Sequence, residues 1–165
     1  QKDDEKINEL ASKIIKFGGK PKIDNEDQKS LIKDLTKQYE DLLIKSLLND
    51  KNKNIINDKN INNVKVRFQK IFDLPPKDLR KIIDNGKKEI GEGIVVVFAI
   101  KDEKIGLAIG VTSKFVGKYD AVKIVKIASE IVGGKGGGGR SDFAQAGGTN
   151  TSKIEEAFKK IQSLI

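Results

Sequence analysis

Ile94-Val95-Val96-Val97-Phe98-Ala99-Ile100, then Lys101-Asp102-Glu103-Lys104, then Ile105-Gly106-Leu107-Ala108-Ile109-Gly110-Val111: two apolar runs flank one charged tetrapeptide, and their reading decides the fold class. The first run is unbroken and rich in β-branched residues, the pattern of an interior strand covered on both faces. The tetrapeptide reads as a polar turn and the second run as the returning strand. Working outward, Val64, Val66 and Phe68 alternate with Lys65 and Arg67, as in a half-buried strand. Pro75-Pro76 precedes a helix expected over residues 77–88, with Leu79, Ile82 and Ile83 inward, closed by Gly91 and Gly93. On the other side a helix is expected from Asp120, its N-cap, to Val132. Ala121, Ile124, Val125, Ala128 and Ile131 point inward there, while Lys123 and Lys126 lie on the opposite face. A last amphipathic helix runs from about residue 152 to 164. Strands alternating with helices make this part a small mixed-sheet α/β domain.

The first third reads differently. Ile7, Leu10, Ala11, Ile14 and Phe17 form one helical stripe, which Gly18-Gly19-Lys20-Pro21 breaks. Leu31, Ile32, Leu35, Tyr39, Leu42, Leu43, Leu47 and Leu48 form a second. Acidic Asp24, Glu26 and Asp27 near its start suit the helix dipole. A helical hairpin results. Its stripe is too apolar to leave wet, so it packs on its own partner helix, on the next domain or on a second copy. Residues 49–63 hold seven asparagines, a composition that favours neither helix nor strand. The expected organisation is therefore a helical subdomain over residues 1–50, an Asn-rich linker over 51–62 and a globular α/β domain over 63–165.

Composition narrows the chemistry. With no His and no Cys, the usual zinc sites, histidine acid–base catalysis, a Ser-His-Asp triad and disulfides are all excluded. No tight acidic cluster suggests a carboxylate metal site, so catalysis by this chain is not expected. The longest apolar run falls far short of the roughly 20 residues of a membrane span. The acidic N-terminus lacks the apolar core of a signal peptide, and a cytoplasmic protein is expected. The missing initiator methionine suggests a chain cut from a longer protein or a processed end. The net charge is +8, and it is uneven. Between residues 104 and 140 there are seven basic residues against two acidic ones, a stretch that attracts polyanions.

Eight of the sixteen glycines fall in residues 133–148, GGKGGGGRSDFAQAGG. So dense a run is either disordered or built to let backbone approach a ligand closely. A flexible linker would be Gly/Ser-rich and bland, whereas Lys135 and Arg140 bracket this one and Asp142, Phe143 and Gln145 follow at once. Successive amides of Gly134, Gly136, Gly137 and Gly138 can form an anion-binding nest, with the two cations adding charge. The stretch from Gly134 to Ser141 differs from a Walker A loop only by Arg140 in place of lysine. It follows a helix rather than a strand, however, and no helical pattern opens at Ser141, which argues against a nucleoside-triphosphate site.

At these residues the sequence resembles the domain at the C-terminus of alanyl-tRNA synthetases, whose signature is GGKGGGR followed by AQAGG; here the run has one extra glycine. The resemblance extends to Leu79-Arg80 with Asp84, to residues 93–98, to Gly110-Val111-Thr112-Ser113 and to the helix from Asp120, covering about residues 63–165. The same domain type ends a group of DHH-type phosphoesterases, which carry GGGH at this point. Arg140 and the following Ala144-Gln145-Ala146-Gly147-Gly148 favour the synthetase version; a phosphoesterase substrate-binding domain is the alternative, and a non-enzymatic or DNA-binding scaffold a second one.

The resemblance implies a non-catalytic, cofactor-free module of an alanine–tRNA ligase. Such a module grips the outer corner of tRNA, most naturally alanine tRNA, while upstream domains of the same protein use ATP, magnesium and zinc. It also implies, in some members, a homodimer through the helical subdomain. The RNA-binding set expected is Lys135, Arg140, Gly134, Gly136, Gly137, Gly138, Phe143, Gln145, Lys123 and Lys126. Phe143 either stacks on an exposed base or anchors the loop as a buried residue. Asp142 and Gln145 either hold the loop's own backbone or touch the ligand. Lys114 and Lys118 are weaker candidates.

Overall fold

A computed structural model describes residues 2–22 and 27–165, with only the backbone at residues 2 and 3. The chain divides into two compact units, Gln1–Asp50 and Lys51–Ile165.

The first unit is the expected helical hairpin, α1 (Lys2–Lys16) and α2 (Gln28–Asn49). Leu10 and Ile14 of α1 bury against Leu31 and Leu35 of α2, with Ile7, Ile32, Tyr39 and Leu42 packed around them. Much of the apolar stripe is thus satisfied within the hairpin. Gly18 ends α1 with a left-handed φ of +82°. Its N–H donates to the Ile15 carbonyl and that of Gly19 to the Ile14 carbonyl, both at 2.9 Å, which closes the last turn. Asp27 caps α2 by accepting from the Lys29 N–H at 3.3 Å and the Ser30 hydroxyl at 3.0 Å. Asp24 and Glu26, expected to help here, lie outside the described residues.

The second unit is an α/β fold. It contains β1 (Asn54–Ile61), β2 (Val64–Phe72), α3 (Leu79–Ile90), β3 (Ile94–Lys101), β4 (Lys104–Val111), α4 (Ala121–Ile131), β5 (Gly137–Arg140), β6 (Phe143–Gly148) and α5 (Ile154–Leu164). One six-stranded sheet runs in the order β1-β2-β3-β4-β6-β5. Its β2–β3 pair is parallel, crossed over by α3, and every other pair is antiparallel.

The register sorts each strand into two faces. Ile94, Val96 and Phe98 of β3 face α4 and α5, in a core with Ile105, Leu107, Ile109, Val125, Ala128, Phe158 and Ile161. Phe158 bridges Phe68 and Phe98, with ring centroids 5.2 and 5.0 Å away. Val95, opposite Gly110, faces α3. Small residues on that side let the helix settle close: a β-carbon on Gly110 would stand 2.4 Å from Ile83 Cγ2, and one on Gly86 of α3 2.8 Å from Val95 Cγ1. Both faces of β3 are therefore covered, as its unbroken apolar run requires. The turn into β4 places Asp102 and Glu103 at φ of 53° and 62°, the double left-handed pattern of a tight hairpin.

The Asn-rich linker expected over residues 51–62 is corrected. Residues 54–61 form β1, an edge strand in register with β2. Asparagine is a poor strand former on average, but propensity at an edge depends on cross-strand partners. Arg67 of β2 donates to both carboxylate oxygens of Asp58 directly opposite, at 2.9 and 3.1 Å, and also bonds Glu89 of α3. Those bonds, Asp58 first, raise the already high pKa of the buried guanidinium against the opposing effect of desolvation. Asn54 accepts from Gln69 at 2.6 Å. Asn62 and Asn63, at φ of 50° and 66°, make the two-residue turn that joins the strands.

Candidate nucleic-acid interface

The glycine segment begins where α4 ends. Gly133 takes φ +80°, its N–H donates to the Glu130 carbonyl at 3.2 Å and that of Gly134 to the Ser129 carbonyl at 2.8 Å. This is the same helix-ending pattern that Gly18-Gly19 makes. Ser129, fully buried on α4, then ties the segment down: its hydroxyl donates to the Gly147 carbonyl at 2.7 Å and accepts from the Gly136 N–H at 3.3 Å. A β-carbon on Gly134 would stand 1.9 Å from that carbonyl oxygen and 2.2 Å from the hydroxyl. Only glycine fits there.

Residues 133–139 are not one continuous loop. Gly137, Gly138, Gly139 and Arg140 form β5, paired with Ala146, Gln145, Ala144 and Phe143 of β6. This correction follows from the hairpin: paired on one side to β6, the glycines present the other side of their backbone as a sheet edge. A β-carbon on Gly137 would lie 2.1 Å from the Gln145 carbonyl, and one on Gly139 2.4 Å from the Phe143 carbonyl. Gly138 differs, because a side chain there would meet nothing within 4 Å. Packing does not require glycine at that position.

The expected binding residues separate onto the two sides of this edge. Arg140 pairs across from Phe143 and Gly138 from Gln145, and Phe143 and Gln145 pair with Gly110 and Ala108 on the α3 side of β4. Lys123 and Lys126 are exposed on α4, which covers the other side. Lys126 reaches the glycines, its Cγ lying 3.9 Å from where a Gly136 β-carbon would stand. Lys135 is exposed within the glycine segment. Among the described residues, Lys123, Lys126 and Lys135 have no carboxylate within 4 Å. The candidate interface is therefore an edge with a cationic group on each side rather than a single patch.

Phe143 is half-buried, and the Arg80 guanidinium of α3 lies 5.1 Å from its ring centroid. Asp142 holds the turn: its carbonyl accepts from the Val111 N–H at 2.9 Å and from Lys87 Nζ at 3.1 Å. Its carboxylate stands 3.8 Å from Arg140 Nε, both side chains being well exposed. Lys114 is paired with Glu92 at 3.1 Å, and Lys118 lies 5.6 Å from the Tyr119 ring. Ser129, Arg80 and Lys87 were not assigned to the site from sequence. Ser129 had a signal, a polar residue on the apolar row of α4 just before the glycines; Lys87 had none.

Residues 63–165 match the family model described as the DHHA1 domain. The chain belongs to the DHHA1 domain family. This DHHA1 chain is 34% identical over 156 residues to an alanine–tRNA ligase of Bradyrhizobium diazoefficiens, a match covering 94% of the chain and 18% of that enzyme. It is 44% identical over 103 residues to the alanine–tRNA ligase of Parvibaculum lavamentivorans, covering 62% and 12% respectively. The chain thus spans less than a fifth of the length of these relatives. Its fold also matches the crystal structure of the C-Ala domain from Aquifex aeolicus alanyl-tRNA synthetase, with a TM-score of 0.62 and 27% identity over 66% of this chain and 96% of that one. Among the described residues of this DHHA1 chain, no helix is long and apolar enough to cross a membrane and no cluster of potential metal ligands occurs.

Proposed function

We propose that this chain is the tRNA-binding C-terminal module of a cytoplasmic alanine–tRNA ligase. It grips the outer corner of tRNA, most naturally alanine tRNA, while upstream domains carry aminoacylation and editing. The observation that carries this reading is the glycine edge strand, with exposed backbone flanked by Lys126 on one side and Arg140 on the other, and with Lys135 exposed just before the strand. Main-chain amides bond phosphate or ribose oxygens without excluding any sequence, and the exposed cations add the salt-dependent attraction to a polyanion. Phe143 and Gln145, beside Arg140, supply a surface for an unstacked base, the usual route to RNA recognition outside duplex regions. The module does no chemistry and holds no cofactor of its own. The likeness to alanine–tRNA ligases over nearly the whole chain supports the parent enzyme's identity.

Binding of the chain to intact tRNA and to an acceptor-stem minihelix, at two salt concentrations, tests this. Preference for intact tRNA is expected; equal binding to both, collapsing as salt rises, would refute corner recognition. Replacing Lys135 and Arg140 together by Ala is expected to flatten the dependence of log affinity on log salt by about 1.4–1.8. Unchanged affinity in that folded variant would remove the glycine edge from the interface. A homodimer through the helical unit belongs to the same reading, with exposed Ile15 and Phe17 as the apolar surface left for it. A monomer by sedimentation well above micromolar concentration would eliminate that part.

A further inference from the structure

At the far edge of the sheet from the glycines lies a second cationic groove. The register places Ile55, Asn57 and Lys59 of β1 opposite Lys70, Phe68 and Val66 of β2, on the face that carries α5. Because α5 packs through Phe158 onto Phe68 and Phe98, it covers β2 and β3. The inner face of β1 is left as a shelf beside the helix. The groove between them encloses about 190 Å³, floored by Ile55, Asn57 and Lys59 and walled by Lys159 and Gln162. Its one carboxylate, Glu155, is occupied by Lys70 at 2.8 Å. Lys59 and Lys159 have no carboxylate within 4 Å among the described residues.

The chemistry selects the occupant. An apolar peptide face would find little here, since Phe68 and Phe158 are buried and only Ile55 is open. Two uncompensated ammonium groups with amide side chains between them match a chain of phosphates and hydroxyls. We propose that the β1–α5 groove is a second contact for the sugar–phosphate backbone of the RNA that the glycine edge binds. This rests on the reading of the chain as an RNA-binding module. Five inter-strand spacings of roughly 4.8 Å separate β1 from β5, about 24 Å in all. A ligand touching both edges is therefore a folded RNA and not a mononucleotide. The groove makes the module a two-edge clamp on RNA shape, consistent with recognition by tertiary structure.

The test compares three double variants of the whole chain with intact tRNA: Lys59→Ala/Lys159→Ala, Lys135→Ala/Arg140→Ala, and Lys101→Ala/Lys104→Ala as a control that removes equal charge from the β3–β4 turn. Each lost phosphate contact flattens the slope of log affinity against log salt by about 0.7–0.9. For the groove pair this means that the loss of affinity between 50 and 200 mM salt shrinks by about tenfold. The inference is supported if the groove pair flattens the slope as the glycine-edge pair does and the control pair does so clearly less. It is overturned if the groove pair matches the control while Lys135→Ala/Arg140→Ala still weakens binding, which leaves the glycine-edge reading intact. If no pair differs from wild type, that reading fails and the groove falls with it. Thermal melts check folding, and Lys59→Arg/Lys159→Arg, which keeps both charges, is expected to retain the wild-type slope; a lost slope there also overturns the inference.

Discussion

Two glycines four residues apart are expected to answer oppositely to the same substitution. A β-carbon on Gly134 would stand 1.9 Å from the Gly147 carbonyl oxygen and 2.2 Å from the Ser129 hydroxyl, far inside van der Waals contact. Neither neighbour is free to yield, because they are hydrogen-bonded to each other at 2.7 Å. Overpacking of this kind costs about 1–3 kcal/mol, and loss of the Ser129 bond adds about 1 kcal/mol. Gly134→Ala should therefore destabilise by roughly 2–4 kcal/mol, lowering Tm by about 8–16 °C in a unit of this size. Gly138→Ala meets nothing within 4 Å and requires no left-handed backbone. It is expected to leave stability unchanged or to raise it by about 0.5 kcal/mol, through reduced freedom of the unfolded chain. If β5 contacts RNA through its backbone, however, the added methyl holds the ligand off and should weaken tRNA binding about five- to thirtyfold, equivalent to about 1–2 kcal/mol. Calorimetry gives the first quantity for both variants, and fluorescence titration with labelled tRNA the second. Wild-type affinity in Gly138→Ala would refute backbone contact at the edge strand, and wild-type stability in Gly134→Ala would refute the close approach of α4 to β6.

The other predictions concern the supports of that edge. Ser129→Ala removes one acceptor and one donor from the glycine segment and should cost about 1–3 kcal/mol; hydrogen exchange is expected to accelerate at the Gly136 amide before the β3 core. Asp120→Ala deprives the Val122 N–H of its cap at the start of α4 and should cost about 1 kcal/mol in urea unfolding, with tRNA binding measured below the transition unchanged. Arg80→Ala removes the guanidinium beside Phe143 and is expected to raise the quenching of a probe at the β5–β6 turn; constant quenching would show that the contact does not order the turn.

Elements whose signal is local could be read from the residues alone. A β-branched run long enough for one strand, a charged tetrapeptide suited to a tight turn, and apolar residues at helical spacing each prescribe their own geometry, so β3, β4, α3, α4 and the helical hairpin were legible from residues alone. The dense glycines with Lys135 and Arg140 marked the candidate interface in the same local way, although close backbone approach, and not ligand binding, is what requires glycine at positions 134, 137 and 139. Tertiary structure decided what depends on partners distant in the chain. The Asn-rich stretch becomes β1 because Arg67 and Gln69 wait on the neighbouring strand for Asp58 and Asn54, and composition carries no record of that pairing. Half of the glycine run becomes β5 because β6 lies beside it. Which side of that edge each cation occupies is fixed by strand register, where a shift of one residue would exchange every side chain between the faces. Arg140 therefore shares its side with Phe143, while Lys126 stands across the edge beside Gly136.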